Sequence, residues 1–152
     1  MAALISLDAY RGHLGRELGC SRWFDLDQQR IDTFGGVTED RQFIHVDPAA
    51  AAQSPFGGTI AHGFLILSLL SAMSYDAIPA IEGAKLGINY GFNSVRFPAP
   101  VRSGKRVRGR FTLQELTPRG EKQWMSIIGT IVEIEGEPKP ALAAQWMTLT
   151  TF

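Results

Sequence analysis

The segment Ile60-Ala61-His62-Gly63-Phe64-Leu65-Ile66-Leu67-Ser68-Leu69-Leu70-Ser71-Ala72-Met73 is the longest apolar run in the chain, interrupted by His62, Ser68 and Ser71. It falls well short of the ~20 residues that a membrane-spanning helix needs, so it reads as a buried helix. From Ala61 to about Tyr75, the side chains of Phe64, Leu65, Ile66, Leu67, Leu69, Leu70, Ala72 and Met73 point in nearly every direction around a helical wheel. A helix apolar on all sides predicts a concave apolar surface that encloses it on most of them.

Downstream, the apolar period shortens to two. Leu86, Ile88, Tyr90 and Phe92 alternate with Gly87, Asn89, Gly91 and Asn93 until Arg96-Phe97-Pro98 breaks the pattern, which predicts one half-buried strand. Val107, Gly109, Phe111 and Leu113 alternate with Arg106, Arg108, Arg110 and Thr112, and Thr117-Pro118-Arg119-Gly120 turns the chain toward a strand over Trp124 to Glu133. After the turn at Glu135-Gly136-Glu137-Pro138, Ala141 to Thr150 reads as a last strand with Trp146 and Met147 on opposite faces.

Upstream, the pattern is helical. Asp8 to Arg16 reads as a short helix and Ser21 to Leu26 as a brief strand, while Asp27 caps a helix through Phe34 that Gly35 and Gly36 terminate. Asp47-Pro48 before Ala49 to Ala52 is a helix start, because the Asp accepts orphan N–H groups and proline at the first helical position lacks only an N–H that has no partner there; Ser54-Pro55 and Gly57-Gly58 stop it. Helices first and strands later predict an α+β domain, an antiparallel sheet wrapped around one long central helix. Such a sheet has an open edge that invites a second subunit.

Composition narrows the function classes. At 152 residues and 45% hydrophobic content, residues 1–152 fit a single domain with one core. Lys plus Arg balance Asp plus Glu at 15 each, so no global field favours nucleic acid or an anionic membrane, and a small molecule is the expected partner. The single cysteine, Cys20, cannot form an internal disulfide, and the start of the chain lacks the features of a signal peptide; both predict the cytoplasm. There is no phosphate-cradling glycine loop, Gly-x-Ser-x-Gly elbow or Cys/His metal spacing.

Three polar features sit near the apolar helix. Asp40 and His45 lie five residues apart in a segment read as a loop between two helices, where a carboxylate and an imidazole can converge on one water; the plainer reading is a turn cap and a structural histidine. His62-Gly63 opens the helix, where free N–H groups stabilise an oxyanion and glycine admits a close ligand; an ordinary loop-to-helix junction is the alternative. Ser68 lies about 7.5 Å further along the axis at the standard rise, and with Ser71 and Ser74 it can equally be a small packing residue. Arg102, Lys105, Arg106, Arg108 and Arg110 make a basic strand face, suited to coenzyme A phosphates or simply to solvent.

Asp40, His45, Asp47-Pro48 and His62-Gly63 together resemble the motif of the MaoC-like (R)-specific enoyl-CoA hydratases and 3-hydroxyacyl-thioester dehydratases. That motif has an Asp, a His five residues on, Asp-Pro, and a downstream His-Gly before the central helix. Asp40 to Pro48, Ile60 to Phe64, Asn89 to Asn93 and Val95 to Val101 resemble the NodN-like branch more specifically. Two positions depart from the pattern: Glu39 stands where the hydratases usually have glycine, and Gln42-Phe43 replaces Asn-Pro. These bear on loop geometry and acyl-chain preference more than on the chemistry.

The resemblance implies a hotdog fold and hydration of trans-2-enoyl thioesters to (R)-3-hydroxyacyl thioesters, or the reverse dehydration, in fatty-acid metabolism. It implies that Asp40 and His45 hold and activate the water, that the Gly63 N–H polarises the thioester carbonyl and that Ser68 supports the site. His62 receives no catalytic role. The substrate is a coenzyme A or acyl-carrier-protein thioester, with no metal or redox cofactor, and the expected assembly is a homodimer with sites near its interface. Phe34, Phe43, Phe56, Phe64 and Tyr90 are the expected lining of an acyl tunnel. A hotdog thioesterase and a non-catalytic acyl-thioester or lipid-binding module are the alternative readings, separated by thiol release and by ligand binding without turnover.

Overall fold

The computed structural model describes residues 3–152. Along the chain run β1 (Leu4–Ile5), α1 (Leu7–Arg11), β2 (Glu17–Cys20), β3 (Phe24–Leu26), α2 (Gln28–Thr38), α3 (Phe43–Val46), α4 (Pro48–Ala52), α5 (Gly63–Ser68), α6 (Leu70–Ala77), β4 (Ala80–Ile81), β5 (Leu86–Arg96), β6 (Lys105–Pro118), β7 (Gln123–Ile134) and β8 (Leu142–Thr151). The main sheet is antiparallel, in the order β2-β6-β7-β8-β5, with β3 also paired to β6; β1 and β4 form a small parallel pair. This is the α+β hotdog fold.

The long downstream strands follow the period-two reading. Val107, Phe111 and Leu113 of β6 are fully buried, and on β8 Trp146 is buried while Met147 is only half-buried. Leu65, Ile66, Leu70 and Met73 from the helical run join them in one core. Gly19 of β2 lets the sheet meet the end of α6, since a side chain there would run into the Ala77 carbonyl.

Several upstream expectations are corrected. The first helix stops at Arg11, short of Arg16, with Ser6 as its cap through a 3.1 Å bond from the Ala9 N–H. The strand expected over Ser21 to Leu26 is confined to Phe24–Leu26, and Glu17–Cys20 adds a strand that the periodicity did not reveal. Gly35 and Gly36 do not end α2, which continues to Thr38. Asp47 does cap α4 as expected, accepting from the Ala50 N–H at 3.0 Å.

The central helix is two helices, α5 and α6, meeting at Leu69. Its enclosure is incomplete in the single chain, because Phe64 is 66% and Tyr75 76% exposed. The alternation on β5 is also broken, by register shifts between Asn89 and Gly91 and between Phe92 and Ser94. Leu86, Ile88 and Tyr90 lie open on this edge strand, so the half-buried strand of the sequence reading is half-buried only if something covers it.

Candidate active site

α2 ends where Glu39 takes a left-handed backbone conformation, φ 64°. Glycine is the residue that adopts such a φ without strain, and Glu39 adopts it here. The turn sets Asp40 just ahead of α3. His45 lies inside that short helix, not in the loop expected for it, and it is buried.

Two contacts fix His45. The side-chain amide of Gln28 donates to the His45 carbonyl at 2.7 Å while its carbonyl oxygen accepts from the Thr59 hydroxyl at 2.5 Å, clamping α3 to the segment before α5. The His45 ring donates from Nδ1 to the Ile60 carbonyl at 2.7 Å. A carbonyl oxygen only accepts, so the proton of the neutral ring sits on Nδ1 and the lone pair on Nε2.

Burial lowers the His45 pKa; the Ile60 hydrogen bond opposes that, the His62 ring adds to the lowering, and the Asp40 carboxylate pulls back upward. The net direction is downward, which favours the free base near neutral pH. Ligand-type atoms of Asp40, His45 and His62 all lie within 4.8 Å of one another. The carboxylate of Asp40 is exposed and, among the described residues, accepts only a long 3.5 Å bond from the Gln42 N–H, so it is open to a substrate or water.

His62 is buried at 1% exposure. Its ring stacks on that of His45, with centroids 3.8 Å apart and planes at 24°, and Phe34 lies against it at 5.0 Å. Its Nε2 donates to the Asp40 backbone carbonyl at 2.9 Å, and its buried Nδ1 has no partner among the described residues. This trio is the grouping among the described residues that could hold a metal ion. A shared cation, however, needs both ring lone pairs aimed at one point, whereas near-parallel stacked rings set them side by side.

Gly63 is the first residue of α5, after His62 at the cap position. The first bonded amides of that turn are those of Leu65 and Ile66, which donate to the His62 carbonyl at 3.0 and 3.2 Å. The Gly63 N–H has no acceptor among the described residues. Phe97 packs over the Gly63 Cα so closely that a Cβ would lie 3.1 Å from its ring.

The other expected site residues are dispersed. Ser68 is exposed and its hydroxyl donates to the Phe64 carbonyl of its own helix at 2.7 Å. Of the five aromatics expected to line one tunnel, Phe34 touches His62, Phe43 and Phe64 are exposed, and Tyr90 lies under Arg119. Phe56 lines a cavity of about 340 Å³ beside Arg102 and Lys105. None of the five lines the larger cavity of about 720 Å³ between α6 and β5, whose walls include Ser71, Tyr75, Ile78, Ile88, Ile128 and Trp146.

The basic strand face is mostly self-neutralised. Lys105 pairs with Glu137, Arg106 with Glu135, Arg108 with Glu133, and Arg110 with Glu17 and Glu133. Gln28, which grips His45, was not among the expected site residues, and no local motif marks it.

Residues 10–134 match the family model described as MaoC like domain. Nodulation protein N of Rhizobium leguminosarum bv. viciae is 51% identical over 97% of this chain and 92% of its own length. The 3-hydroxyacyl-thioester dehydratase Z of Mycobacterium tuberculosis (strain ATCC 25618 / H37Rv) is 44% identical over 86% of each chain. Among solved structures, the (R)-hydratase from A. caviae involved in PHA biosynthesis superposes with a TM-score of 0.72 at 25% identity, covering 89% of this chain and 94% of that one. By sequence and by fold, this chain belongs to the MaoC-like dehydratase family.

Proposed function

We propose that this chain catalyses (R)-specific hydration of trans-2-enoyl thioesters and the reverse dehydration, acting on a coenzyme A or acyl-carrier-protein thioester without a metal or redox cofactor. The observation that carries this reading is the placement of ligand-type atoms of Asp40, His45 and His62 within 4.8 Å of one another, with His62 directly preceding Gly63 at the start of α5. Similarity to a named dehydratase and a named (R)-hydratase supports the same chemistry.

In the proposed reaction a water lies between Asp40 and His45, with one O–H donated to the carboxylate and the other to Nε2. Nε2 takes that proton as the water oxygen bonds to the β-carbon, and electrons of the C=C bond move onto the thioester carbonyl oxygen. The Gly63 N–H stabilises that oxygen. The enolate then collapses as the proton passes from Nε2 to the α-carbon, restoring the neutral imidazole.

The acyl chain would run along the helices. Ser71 lies eight residues beyond Gly63, in the first turn of α6 after the break at Leu69, and it lines the 720 Å³ cavity. This replaces the five scattered aromatics as the proposed chain pocket. The proposed working form is a cytoplasmic homodimer in which a second copy covers the exposed apolar residues of β5 and α5.

The test is loss of enoyl-thioester absorbance with C4, C8 and C12 enoyl-CoA. Asp40→Asn and His45→Gln should each lower the rate by about 10²–10⁴ with circular dichroism unchanged. A near wild-type rate in either variant removes the pair. Release of free thiol without hydration would instead mark a thioesterase, and thermal stabilisation without turnover a binding module.

A further inference from the structure

His62 lies outside the reaction proposed above, yet its side chain contacts both residues assigned to that reaction, Asp40 through its backbone and His45 through its ring. It stacks on the His45 ring at 3.8 Å and donates from Nε2 to the Asp40 backbone carbonyl at 2.9 Å. Resting on that functional reading, we infer that His62 is a positioning residue that holds the Asp40 backbone and the His45 ring in register with one another.

Three observations support this. First, the Asp40 segment has little else to hold it: among the described residues its carboxylate makes only the 3.5 Å contact to the Gln42 N–H, and it follows a left-handed residue at the end of α2. The bond from His62 anchors this turn to the start of α5. Second, the ring is fully enclosed, at 1% exposure, with Nε2 rather than Nδ1 turned to the Asp40 carbonyl. With Nε2 committed to Asp40, the His62 Nδ1 is buried with no partner among the described residues.

Third, the surroundings are shaped for this ring and this carbonyl. Gly35 of α2 faces them, and a Cβ there would lie 3.0 Å from the Asp40 carbonyl oxygen and 3.5 Å from His62 Cε1. Phe34 backs the ring from the same helix. The ring is thus held by α2 on one side and by His45 on another, and its fixed edge meets the Asp40 carbonyl. His62 never needs to meet the substrate, since its two contacts act through Asp40 and His45.

Two substitutions separate the two contacts. His62→Gln keeps an amide donor for the Asp40 carbonyl and loses the stacked ring; His62→Phe keeps the ring and loses the donor. The expected result for His62→Phe is a fall in kcat of about a hundredfold, the scale of a small misplacement of a catalytic group, with KM within about twofold. His62→Gln should recover most of that loss. If both variants stay within about threefold of wild type, or if KM rises while kcat holds, the inference is overturned.

A measurement without substrate guards against variants that do not fold. In the wild-type protein, 15N spectra of the histidine side chains should show a slowly exchanging proton on Nε2 of His62 and one on Nδ1 of His45. A bare Nε2 on His62 would remove the contact and the inference with it. Wild-type protein that hydrates no enoyl thioester, while its His62 spectrum is as expected, would sink the hydratase reading and leave the contact established.

Discussion

The Nδ1 proton of His45 is held by the Ile60 carbonyl at 2.7 Å, so the segment carrying the base is tied directly to the residue two ahead of His62. The ring is fixed in one tautomer with Nε2 free, and burial lowers its pKa. The base form is then the resting form near neutrality.

The first prediction follows from the sign of that shift. Hydration should stay level as pH falls from 8 and drop only below the ordinary histidine value of about 6.5, with a single-proton acid limb. The folded chain binds fewer protons at His45 than the unfolded chain does, so the stability contributed by the neutral ring is present above about pH 6.5 and is lost as pH falls through the lowered value. Melting temperatures from pH 8 to 5 should show this loss in wild type and a flatter profile in His45→Gln. An acid limb centred above 6.5 would contradict the assignment of His45 as the base.

Gly35 and Gly36 provide a matched pair for the second prediction. Both lie inside α2, where alanine is favoured over glycine by up to about 1 kcal/mol. A Cβ on Gly36 meets nothing within 4 Å, whereas one on Gly35 would lie 3.0 Å from the Asp40 carbonyl and 3.3 Å from Val46 Cγ1. Gly36→Ala should therefore raise the melting temperature and leave activity alone. Gly35→Ala should cost activity about tenfold or more by displacing the Asp40 backbone. Equal activity in the two variants, measured by enoyl-CoA absorbance, would show that the site tolerates movement of Asp40.

Glu39 carries the third prediction. It is the non-glycine residue with positive φ among the described residues, at 64°, and an L side chain there costs about 1–2 kcal/mol. Glycine removes that strain but gains conformational freedom in the unfolded chain, worth roughly 0.5–1 kcal/mol. Glu39→Gly should raise the melting temperature by about 2–4 °C with kcat/KM unchanged within about twofold, and Glu39→Val should lower both. A less stable Glu39→Gly protein would mean that the Glu39 side chain contributes more than its backbone costs.

These residues also show what one sequence can and cannot display. The strands of the second half were legible because each of β6 and β8 has a clear buried face, so Val107, Phe111 and Leu113 repeat at every second or fourth position. The Asp47-Pro48 cap was legible because capping is local. Gly35 was misread as a stop because its reason is tertiary: the helix runs on, and the missing side chain makes room for Asp40 and His62. The ion pairs of the β6 arginines are invisible in the local sequence because their partners lie across the strand pair, as in Arg108 opposite Glu133. Gln28 bonds the His45 carbonyl and the Thr59 hydroxyl across long separations in the chain, and nothing in its neighbours foretells either contact. Asp40 and His45 were legible as a spacing, but that His62 joins them is a fact of packing.

The fourth prediction concerns the open edge. β5 is an 11-residue strand at the end of the sheet, hydrogen-bonded on one side to β8. Leu86 and Ile88 remain 55% and 43% exposed on it. A long edge strand bearing apolar side chains is a ready template for another strand, and a two-fold axis lets the same strand of a second copy fill that role. Light scattering on the eluting protein should give twice the chain mass at micromolar concentration. Leu86→Lys combined with Ile88→Lys places charge on the edge and should yield a single-chain mass. Because both side chains are exposed in the isolated chain, the variant should keep its circular dichroism spectrum. A wild-type protein of single-chain mass, or a double variant that remains paired, would move the interface away from β5.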